Sequence, residues 1–464
     1  MSGFGVGIVL GLSSPATFQL RAQQQEALNN SAQLNNSIVA SQDMIVMTSA
    51  EISLFSAVYS CGALAGGLLS SALMNRLGRR ATLMVSVLPC LLGCCLMGLS
   101  SNYGVLLTGR ILTGVFIGVS GASGNAFLGE IAASDIRGML GALYELMLVA
   151  GVLIAFVTRE YVSWQQLALI TNAPVLLLAL LVFFTKESPA FLLIAGKENE
   201  ARAALQYYRG PDRDVDMEMC ALKESQMETR GKRLALSDLK KRHIYLPLFI
   251  TVVTASMFHL CGIGMSTKTN MSEATGVIAC CGVELITAVA AIFLIERAGR
   301  KTLLLVSGAV MSASFGCLGL YFYFLSCNEL WAKQHLSWLP LTSLLAYVVA
   351  FGIGYGPIPW ILLGEMFPPL IRETAAGLTV TVVWTLSFIT IVTYDALSTA
   401  LGSYGFYWLY ASICALASIF TAAVVKETKG KRLDEITKLF ESKKSYGCST
   451  AVKRIKQGTT TNQG

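Results

Sequence analysis

Two pairs of oppositely charged residues recur in matching phrases in the two halves of the chain. Glu130 and Arg137 stand seven residues apart in GEIAASDIRG, and Glu365 and Arg372 repeat this spacing in GEMFPPLIRE, 235 residues later. A carboxylate and a guanidinium attract each other without any bond being made or broken, and pairing is the least costly way to hold such charges near an apolar region. These residues therefore predict ion pairs at two equivalent places of a duplicated structure.

The sequence contains no arrangement of residues that is typical of an enzyme. The twelve Cys show no CxxC motif or metal-ligand spacing, and Ser188 in KESP has no partner suggested by the sequence. The glycines at Gly109, Gly114 and Gly118 follow no strand and precede no Lys, so they do not form a phosphate-binding loop. We therefore expect no enzymatic activity, no metal and no cofactor.

The composition places the chain in a lipid bilayer. Of its 464 residues, 54% are hydrophobic and only 14% are charged, which is too apolar for a soluble multi-domain protein. A helix of about 20 apolar residues crosses about 30 Å of hydrocarbon. Suitable stretches occur near 3–20, 52–74, 81–99, 104–127, 138–158, 164–184, 244–264, 275–295, 302–325, 342–364, 374–397 and 404–425. The predicted fold is an all-α membrane protein with twelve transmembrane helices in two pseudo-symmetric halves of six.

The same reading divides the chain into four regions. Residues 1–184 and 244–425 form the two six-helix bundles, 185–243 form a cytoplasmic loop with short amphipathic helices, and 426–464 form a cytoplasmic tail. Within the loop, Ala201, Leu205 and Tyr208 recur at helical spacing before a Gly. Internal symmetry of parallel halves in a very apolar chain is typical of membrane carriers.

The orientation follows from the distribution of basic residues. Of the 35 Lys and Arg residues, 30 fall on the side that holds both termini, which is therefore expected to be cytoplasmic. The net charge of +7 reflects this bias and is not a nucleic-acid-binding surface, because the basic residues are spread over several loops and mixed with acids. The Asn-x-Ser triplets at Asn29, Asn35 and Asn270 fall in loops on the other side, where they are candidate glycosylation sites that favour the plasma membrane.

Two local patterns concern the packing of helices. Gly109, Gly114, Gly118 and Gly121 form a small-residue stripe in span four, which predicts a close approach of helices. GYGPIPW at 354–360 interrupts span ten with Gly and Pro, as in segments that line a cavity or act as a gate.

Eight short motifs in order resemble the sugar porter branch of the major facilitator superfamily, from about the first span to Leu433. They are RLGRR at 76–80, GR at 109–110, GE with RG at 129–138, ESP at 187–189, ERAGRK at 296–301, GPIPW at 356–360, GE with RE at 364–373, and ETKG at 427–430. The loops and tail are most similar to insect trehalose carriers of that branch. The resemblance implies a carrier that moves a small polar solute, most simply a sugar, by alternating access, with a monomer sufficient for transport.

The resemblance also implies a gating network of charges at the cytoplasmic rim. Its members here are Arg76, Arg79, Arg80, Glu130, Arg137, Glu187, Glu296, Arg297, Arg300, Glu365, Arg372 and Glu427. We expect these ion pairs to join the halves when the cavity opens outward and to break when it opens inward. The alternative is that the basic loops simply anchor the helices at the membrane face.

The predicted substrate site departs from the family pattern. The resemblance implies a site in which amide side chains bind the sugar. Where the family has a Gln in span five and an Asn in span eight, this sequence has Glu145 and Glu284. The QQxSGxN pattern of span seven is replaced by FHLCGIG at 258–264. Val383 and Ser387 replace the Asn positions of span eleven. The candidate substrate-binding residues are thus Glu145, His259, Glu284, Trp360, Trp384 and Ser387.

Several readings of these replacements stay open. In neutral form, Glu145 and Glu284 would act as hydrogen-bonding groups like the amides they replace. One of them could instead carry a proton, with His259 as its partner, although span one lacks the acid of proton-coupled relatives between Gly3 and Leu20. Two acids would also suit a cationic solute such as an amine. A protein of another class, a transport-inactive nutrient sensor or scaffold, would also account for the lost amides of span seven, whereas the complete gating network argues against it.

Overall fold

The computed structural model describes residues 1–33, 47–100, 102–133, 137–229, 242–261, 274–367 and 369–429, and every regular element within them is a helix. Numbered in chain order, the helices are α1 Ser2–Gly11, α2 Ser13–Gln33, α3 Ser49–Ala57, α4 Tyr59–Leu77, α5 Arg79–Leu99, α6 Tyr103–Ile131, α7 Arg137–Thr158, α8 Trp164–Ile170, α9 Asn172–Phe183, α10 Pro189–Ile194, α11 Glu198–Arg209, α12 Asp216–Thr229, α13 Arg242–Leu260, α14 Ala274–Ala298, α15 Arg300–Cys327, α16 Glu329–His335, α17 Leu339–Ile353, α18 Ile358–Glu365 and α19 Pro369–Val424.

The helices of the described residues account for the twelve predicted spans. Nine are long and apolar enough to cross a membrane, and Leu143–Thr158 and Ile244–Leu260 are shorter apolar helices. One of the nine, Ala375–Val424, has 50 residues, enough for two crossings. Within it Gly402 has φ 67°, a left-handed conformation that glycine adopts without a steric penalty. This residue separates the predicted spans eleven and twelve.

Some spans consist of two helices, and the breaks differ in kind. Leu12, Val58 and Thr171 keep right-handed helical dihedrals, so the helices on either side of each continue in one direction. Gly354, in contrast, has φ −118° and ψ −86° at the end of α17, and Pro357 precedes α18. Span ten is therefore interrupted at the Gly- and Pro-rich segment, as its sequence predicts.

The small-residue stripe of span four is a site of close helix packing. A Cβ atom at Gly114 would lie 2.1 Å from the carbonyl oxygen of Tyr59, and one at Gly118 would lie 2.2 Å from that of Ala63. Only glycine lets the backbones of α4 and α6 approach this closely. Gly121 is different, because a Cβ there would meet nothing nearer than the Tyr144 hydroxyl at 3.7 Å.

Each half has its own apolar core. One core runs from Val6 to Val182 and the other from Ile244 to Val425. A third, smaller cluster holds the short helices of the intervening loop together through Leu192, Leu205 and Met219. The amphipathic helix expected at 196–210 is α11, which ends before Gly210 at φ 89°.

Spans two and eight both end in a glycine turn at the same end of the bundle. Gly78 has φ 90° and Gly299 has φ 87°, and each leads directly into the next span. An even number of crossings precedes both turns, so they lie on one side. We call this side the basic end and the other side the opposite end.

Candidate functional site

The basic end of the first half contains an ion pair in which the arginine is buried and the glutamate is partly exposed. The Arg79 side chain donates from Nε to Glu130 Oε1 over 2.9 Å and from Nη2 over 2.8 Å, with only 9% of the Arg79 side chain exposed. The Ser188 hydroxyl donates to the other oxygen of Glu130. This arrangement ties span three, the end of span four and the loop after span six together within the first half.

Glu187 has a role that the sequence alone does not indicate. Its Oε1 accepts hydrogen bonds from the backbone N–H groups of Arg79 and Arg80, both over 3.0 Å. These N–H groups lack partners within the helix because they lie in its first turn. A carboxylate at this place also interacts favourably with the helix dipole. Glu187 is therefore the cap of the third span, and Gly78 leaves room for it, since a Cβ there would lie 2.5 Å from Glu187 Oε2.

Glu427 caps the ninth span in the second half in the same way. Its carboxylate accepts from the backbone N–H groups of Arg300 and Lys301, each over 3.0 Å, and from those of Thr428 and Lys429. Burial by itself would raise the pKa of Glu427, but these backbone hydrogen bonds outweigh it and hold the pKa below its usual value. The repeated phrases KES and KET thus encode two equivalent helix caps.

The side chains of Arg80 and Lys301, the second residues of spans three and nine, make equivalent hydrogen bonds in the two halves. Arg80 donates from Nε to the carbonyl of Val182 over 3.2 Å, and Lys301 donates from Nζ to that of Ala422 over 2.9 Å. Both carbonyls lie at the last turn of a span, where backbone oxygens lack helical partners. The cation of each half therefore links the start of one span to the end of another.

The remaining members of the predicted gating network are only partly described. The side chains of Arg137, Glu296, Glu365 and Arg372 lie outside the described part of the structure. Arg76 and Arg297 are exposed at helix ends. The contacts described for Arg79, Arg80, Glu187 and Glu427 join helices of the same half, so the expected connection between the halves stays a prediction.

A chain of aromatic rings crosses from one half to the other near the middle of the bundle. The ring of Tyr59 meets that of Trp384 edge to face with centroids 6.2 Å apart, and Trp384 lies 6.1 Å from His259. Phe258 continues the chain, at 5.1 Å from His259 and 6.3 Å from Trp360. Three of the predicted substrate-binding residues, His259, Trp360 and Trp384, therefore lie in one wall contributed by spans seven, ten and eleven.

Ser387 lies one turn beyond Trp384 and is engaged in a contact between the halves. Its hydroxyl oxygen is 3.1 Å from that of Ser60 on span two, and both side chains are fully buried. In this structure the Ser387 hydroxyl is therefore satisfied by protein.

Glu145 and Glu284 lie on helices α7 and α14, which pack against each other across the two halves. The two side chains are partly exposed, and their carboxyl groups are close enough to interact electrostatically. No hydrogen bond or ion pair of either carboxyl group is found among the described residues. The structure thus brings together the two acids that replace amides, without a partner from the described part of the chain.

A buried arginine fixes the first span against the second and fourth. Arg110 is fully buried, donates to the Ser13 hydroxyl, and lies over the rings of Phe55 and Tyr59 at 5.6 and 5.0 Å. A second guanidinium nitrogen faces the carbonyl of Val9 at 3.5 Å. Span one thus presents a hydroxyl to this cation, in keeping with the absence of an acid between Gly3 and Leu20.

An ion pair at the opposite end was not identified from the sequence. Arg21 Nη2 lies 2.7 and 2.8 Å from the two carboxylate oxygens of Asp395. The sequence carries a signal for it, because Asp395 is the only acid of span eleven and Arg21 directly follows span one. The candidate glycosylation sites Asn35 and Asn270 fall outside the described residues, as does the side chain of Asn29.

Comparison with known families identifies this architecture. Residues 1–440 match the family model described as Sugar (and other) transporter. The chain belongs to the sugar transporter family. Among curated members it is 32% identical over 390 residues to the facilitated trehalose transporter Tret1 of Apis mellifera ligustica, covering 82% of this chain and 77% of the relative. It is also 32% identical over 465 residues to the facilitated glucose transporter member 8 of solute carrier family 2 from Mus musculus, covering 94% and 92%.

Solved structures of similar fold support the same architecture for this sugar transporter family member. The inward open conformation of the xylose transporter XylE from E. coli superimposes with a TM-score of 0.74 at 22% identity, covering 95% of this chain and 98% of the other. The proton:xylose symporter XylE bound to 6-bromo-6-deoxy-D-glucose gives 0.71 at 23% identity, covering 95% and 98%. These neighbours are transporters of the major facilitator superfamily, and the chain is an integral membrane protein with their fold.

Proposed function

We propose that this protein carries a sugar, a hexose or a disaccharide such as trehalose, across the membrane by facilitative alternating access. The observation that carries the proposal is the aromatic wall of His259, Trp360 and Trp384, which meets Tyr59 of the other half. Aromatic faces pack against the apolar faces of a pyranose ring, while nearby polar groups bind its hydroxyls. Because Tyr59 and Trp384 come from different halves, a rocking motion of the halves changes access to this wall.

The facilitative mode is supported by the surroundings of Arg110. Its neighbour on span one is the neutral Ser13. A proton carrier needs a group that loads and releases a proton as the cavity alternates, and a serine hydroxyl does not titrate in the physiological range. The names of the two curated relatives, a facilitated trehalose and a facilitated glucose transporter, point the same way.

The proposed orientation places the basic end in the cytoplasm, together with both termini. The distribution of Lys and Arg supports this, since 30 of 35 fall on that side. The proposed location is the plasma membrane, in keeping with the three Asn-x-Ser triplets on the other side, and one copy of the chain suffices for transport.

Uptake of labelled glucose and trehalose into proteoliposomes containing the purified protein tests the proposal. We expect saturable uptake of at least one sugar, inhibited by the unlabelled sugar and indifferent to an inward proton gradient. Accumulation driven by the gradient would contradict the facilitative mode. Absence of uptake for hexoses and disaccharides would contradict the sugar assignment and favour a sensor.

A second candidate function is favoured by the carboxyl groups of Glu145 and Glu284, which have no hydrogen-bond or ionic partner among the described residues. Two acids on helices that pack together across the halves would bind a cationic solute such as an amine, whose positive charge would compensate theirs. The two candidates can be separated by comparing how strongly unlabelled glucosamine and unlabelled glucose inhibit the uptake of a labelled solute. Stronger competition by glucosamine that is lost in Glu145→Gln and Glu284→Gln would support the amine, and equal competition in all variants would support the neutral sugar.

A further inference from the structure

The opposite end of the bundle carries a polar contact that joins the two halves. The two carboxylate oxygens of Asp395, on span eleven, lie 2.7 and 2.8 Å from Nη2 of Arg21, at the end of span one. The hydroxyl of Ser53 on span two also donates a hydrogen bond to this carboxylate. One carboxylate of the second half is thus held by two helices of the first half.

This contact is the outermost part of a longer interface between spans two and eleven, which we call the seam. Ser60 lies seven residues further along span two than Ser53, and its partner Ser387 lies eight residues from Asp395 on the antiparallel span eleven. At 1.5 Å per residue, these two contacts are about 11 Å apart along the helices. The seam is therefore fastened by polar side chains at two depths.

Nearer to the basic end, the contact between spans two and eleven is apolar. A Cβ at Gly67 would lie 3.2 Å from Cγ1 of Val380, another seven residues along both helices from Ser60 and Ser387. A Cβ at Gly377, one turn nearer to the basic end, would meet no atom within 4 Å. The two spans are thus in contact from the opposite end to beyond the middle of the bundle.

We propose that Arg21, Ser53 and Asp395 form a latch that holds the opposite end closed and sets the balance between the two access states. This inference rests on the proposed function, because a latch matters only if the halves alternate. Opening the opposite end separates span eleven from spans one and two, so the Arg21 to Asp395 ion pair must break in each cycle. The latch contains the ion pair of Arg21 with Asp395, strengthened by the charge-assisted hydrogen bond from Ser53.

The latch shifts the equilibrium between the two access states, but its ion pair is weak enough to break in each cycle. The side chains of Arg21 and Asp395 are 42% and 30% exposed, so water screens much of their attraction. Pairs of this exposure shift an equilibrium by about two- to fivefold.

The same end offers a matched ion pair that does not join the halves. Lys333 Nζ lies 2.6 Å from Glu329 Oε1 within the single helix α16, and both side chains are more than 60% exposed. Lys333→Ala removes an ion pair from the same end and the same solvent while leaving the latch intact, so it is the control for the effect of lost charge.

Zero-trans entry and exit of the transported sugar, measured in cells that express each variant, test the latch. In Arg21→Ala and Asp395→Asn we expect the ratio of the entry KM to the exit KM to fall by about two- to fivefold, because the state open to the opposite end is more populated. The exchanged pair Arg21→Asp with Asp395→Arg should restore the ratio, and Lys333→Ala should leave it unchanged. A ratio that is unchanged or higher in both single variants would overturn the latch, as would failure of the exchanged pair to restore it.

Hydrogen exchange of the purified protein provides a readout that does not depend on any sugar. We expect faster exchange in Arg21→Ala for peptides that cover 49–60 and 384–395, with recovery in the exchanged pair and no change in Lys333→Ala. Exchange that is unchanged there, or faster throughout the molecule, would contradict a local latch. If the wild-type protein transports no sugar but this pattern is seen, the proposed function fails and the latch stands.

Discussion

The hydroxyl oxygens of Ser60 and Ser387 lie 3.1 Å apart in a fully buried contact between the two halves of the protein. A buried hydroxyl that loses its partner pays for its desolvation without compensation. The pair therefore holds spans two and eleven in register at the middle of the bundle, next to the aromatic wall.

A double-mutant cycle on this pair should reveal direct coupling. We expect Ser60→Ala and Ser387→Ala each to lower the stability by about 1 kcal/mol, and the double variant to lose less than the sum, because each single variant leaves one hydroxyl unsatisfied. Thermal unfolding in detergent, followed by fluorescence, gives the four stabilities. Strict additivity would show that the two hydroxyls do not interact in solution.

The helix cap formed by Glu427 predicts a dependence of stability on pH. The pKa of Glu427 is lower in the folded protein than in the unfolded chain, so its stabilising contribution is present at neutral pH and is lost as the pH falls through the folded-state pKa. We expect Glu427→Gln to lower the stability at pH 7 by about 1 kcal/mol, the usual cost of losing a cap, and to have less effect at pH 4.

Thermal unfolding of the wild type and Glu427→Gln between pH 4 and 7 measures this difference. Glu224→Gln is a suitable control, since Glu224 is an exposed acid for which no hydrogen bond or ion pair is described. A deficit of Glu427→Gln that is constant across this range would show that the charge of the carboxylate does not matter to the cap.

The aromatic wall predicts a graded response of transport to substitution at Trp384. Trp384→Phe keeps a ring against His259 and Tyr59, whereas Trp384→Ala removes it. Because aromatic contacts of this kind contribute about 0.5–1.5 kcal/mol, we expect the KM for sugar to rise up to about tenfold in Trp384→Ala and by much less in Trp384→Phe. Initial rates of sugar uptake over a range of concentrations give these values. Equal KM values in all three proteins would exclude Trp384 from the sugar site.

The close packing of spans two and four predicts a strong effect of one methyl group. Gly114→Ala would place a Cβ 2.1 Å from the Tyr59 carbonyl oxygen, so the helices must move apart, at a cost of about 1–3 kcal/mol. Gly316→Ala is the matched control, since a Cβ there meets nothing within 4 Å and alanine favours a helix over glycine. Thermal unfolding of the two variants should show a loss for Gly114→Ala and no loss for Gly316→Ala. Similar stabilities would mean that the helices are less closely packed than described.

Much of the architecture could be predicted from the sequence because lipid imposes simple rules. The number and approximate limits of the spans follow from the length of apolar stretches, and the interruption of span ten follows from GYGPIPW, since Gly and Pro weaken a helix. The glycine stripe of span four correctly predicted close packing. Only its last member, Gly121, lies away from the neighbouring helix, because a stripe indicates a face of a helix but not how far the contact extends.

The sequence by itself determined that this chain is a duplicated, twelve-span membrane carrier of the sugar transporter family, because periodicity, charge bias and repeated motifs are local properties. Only the tertiary structure decided that Glu187 caps a helix, that Ser387 is engaged by Ser60, and that Arg21 meets Asp395. The last two partners are 327 and 374 residues apart, and their meeting depends on which spans become neighbours when the halves close. Spacing along a chain cannot specify such contacts, since they arise from the packing of two separate bundles.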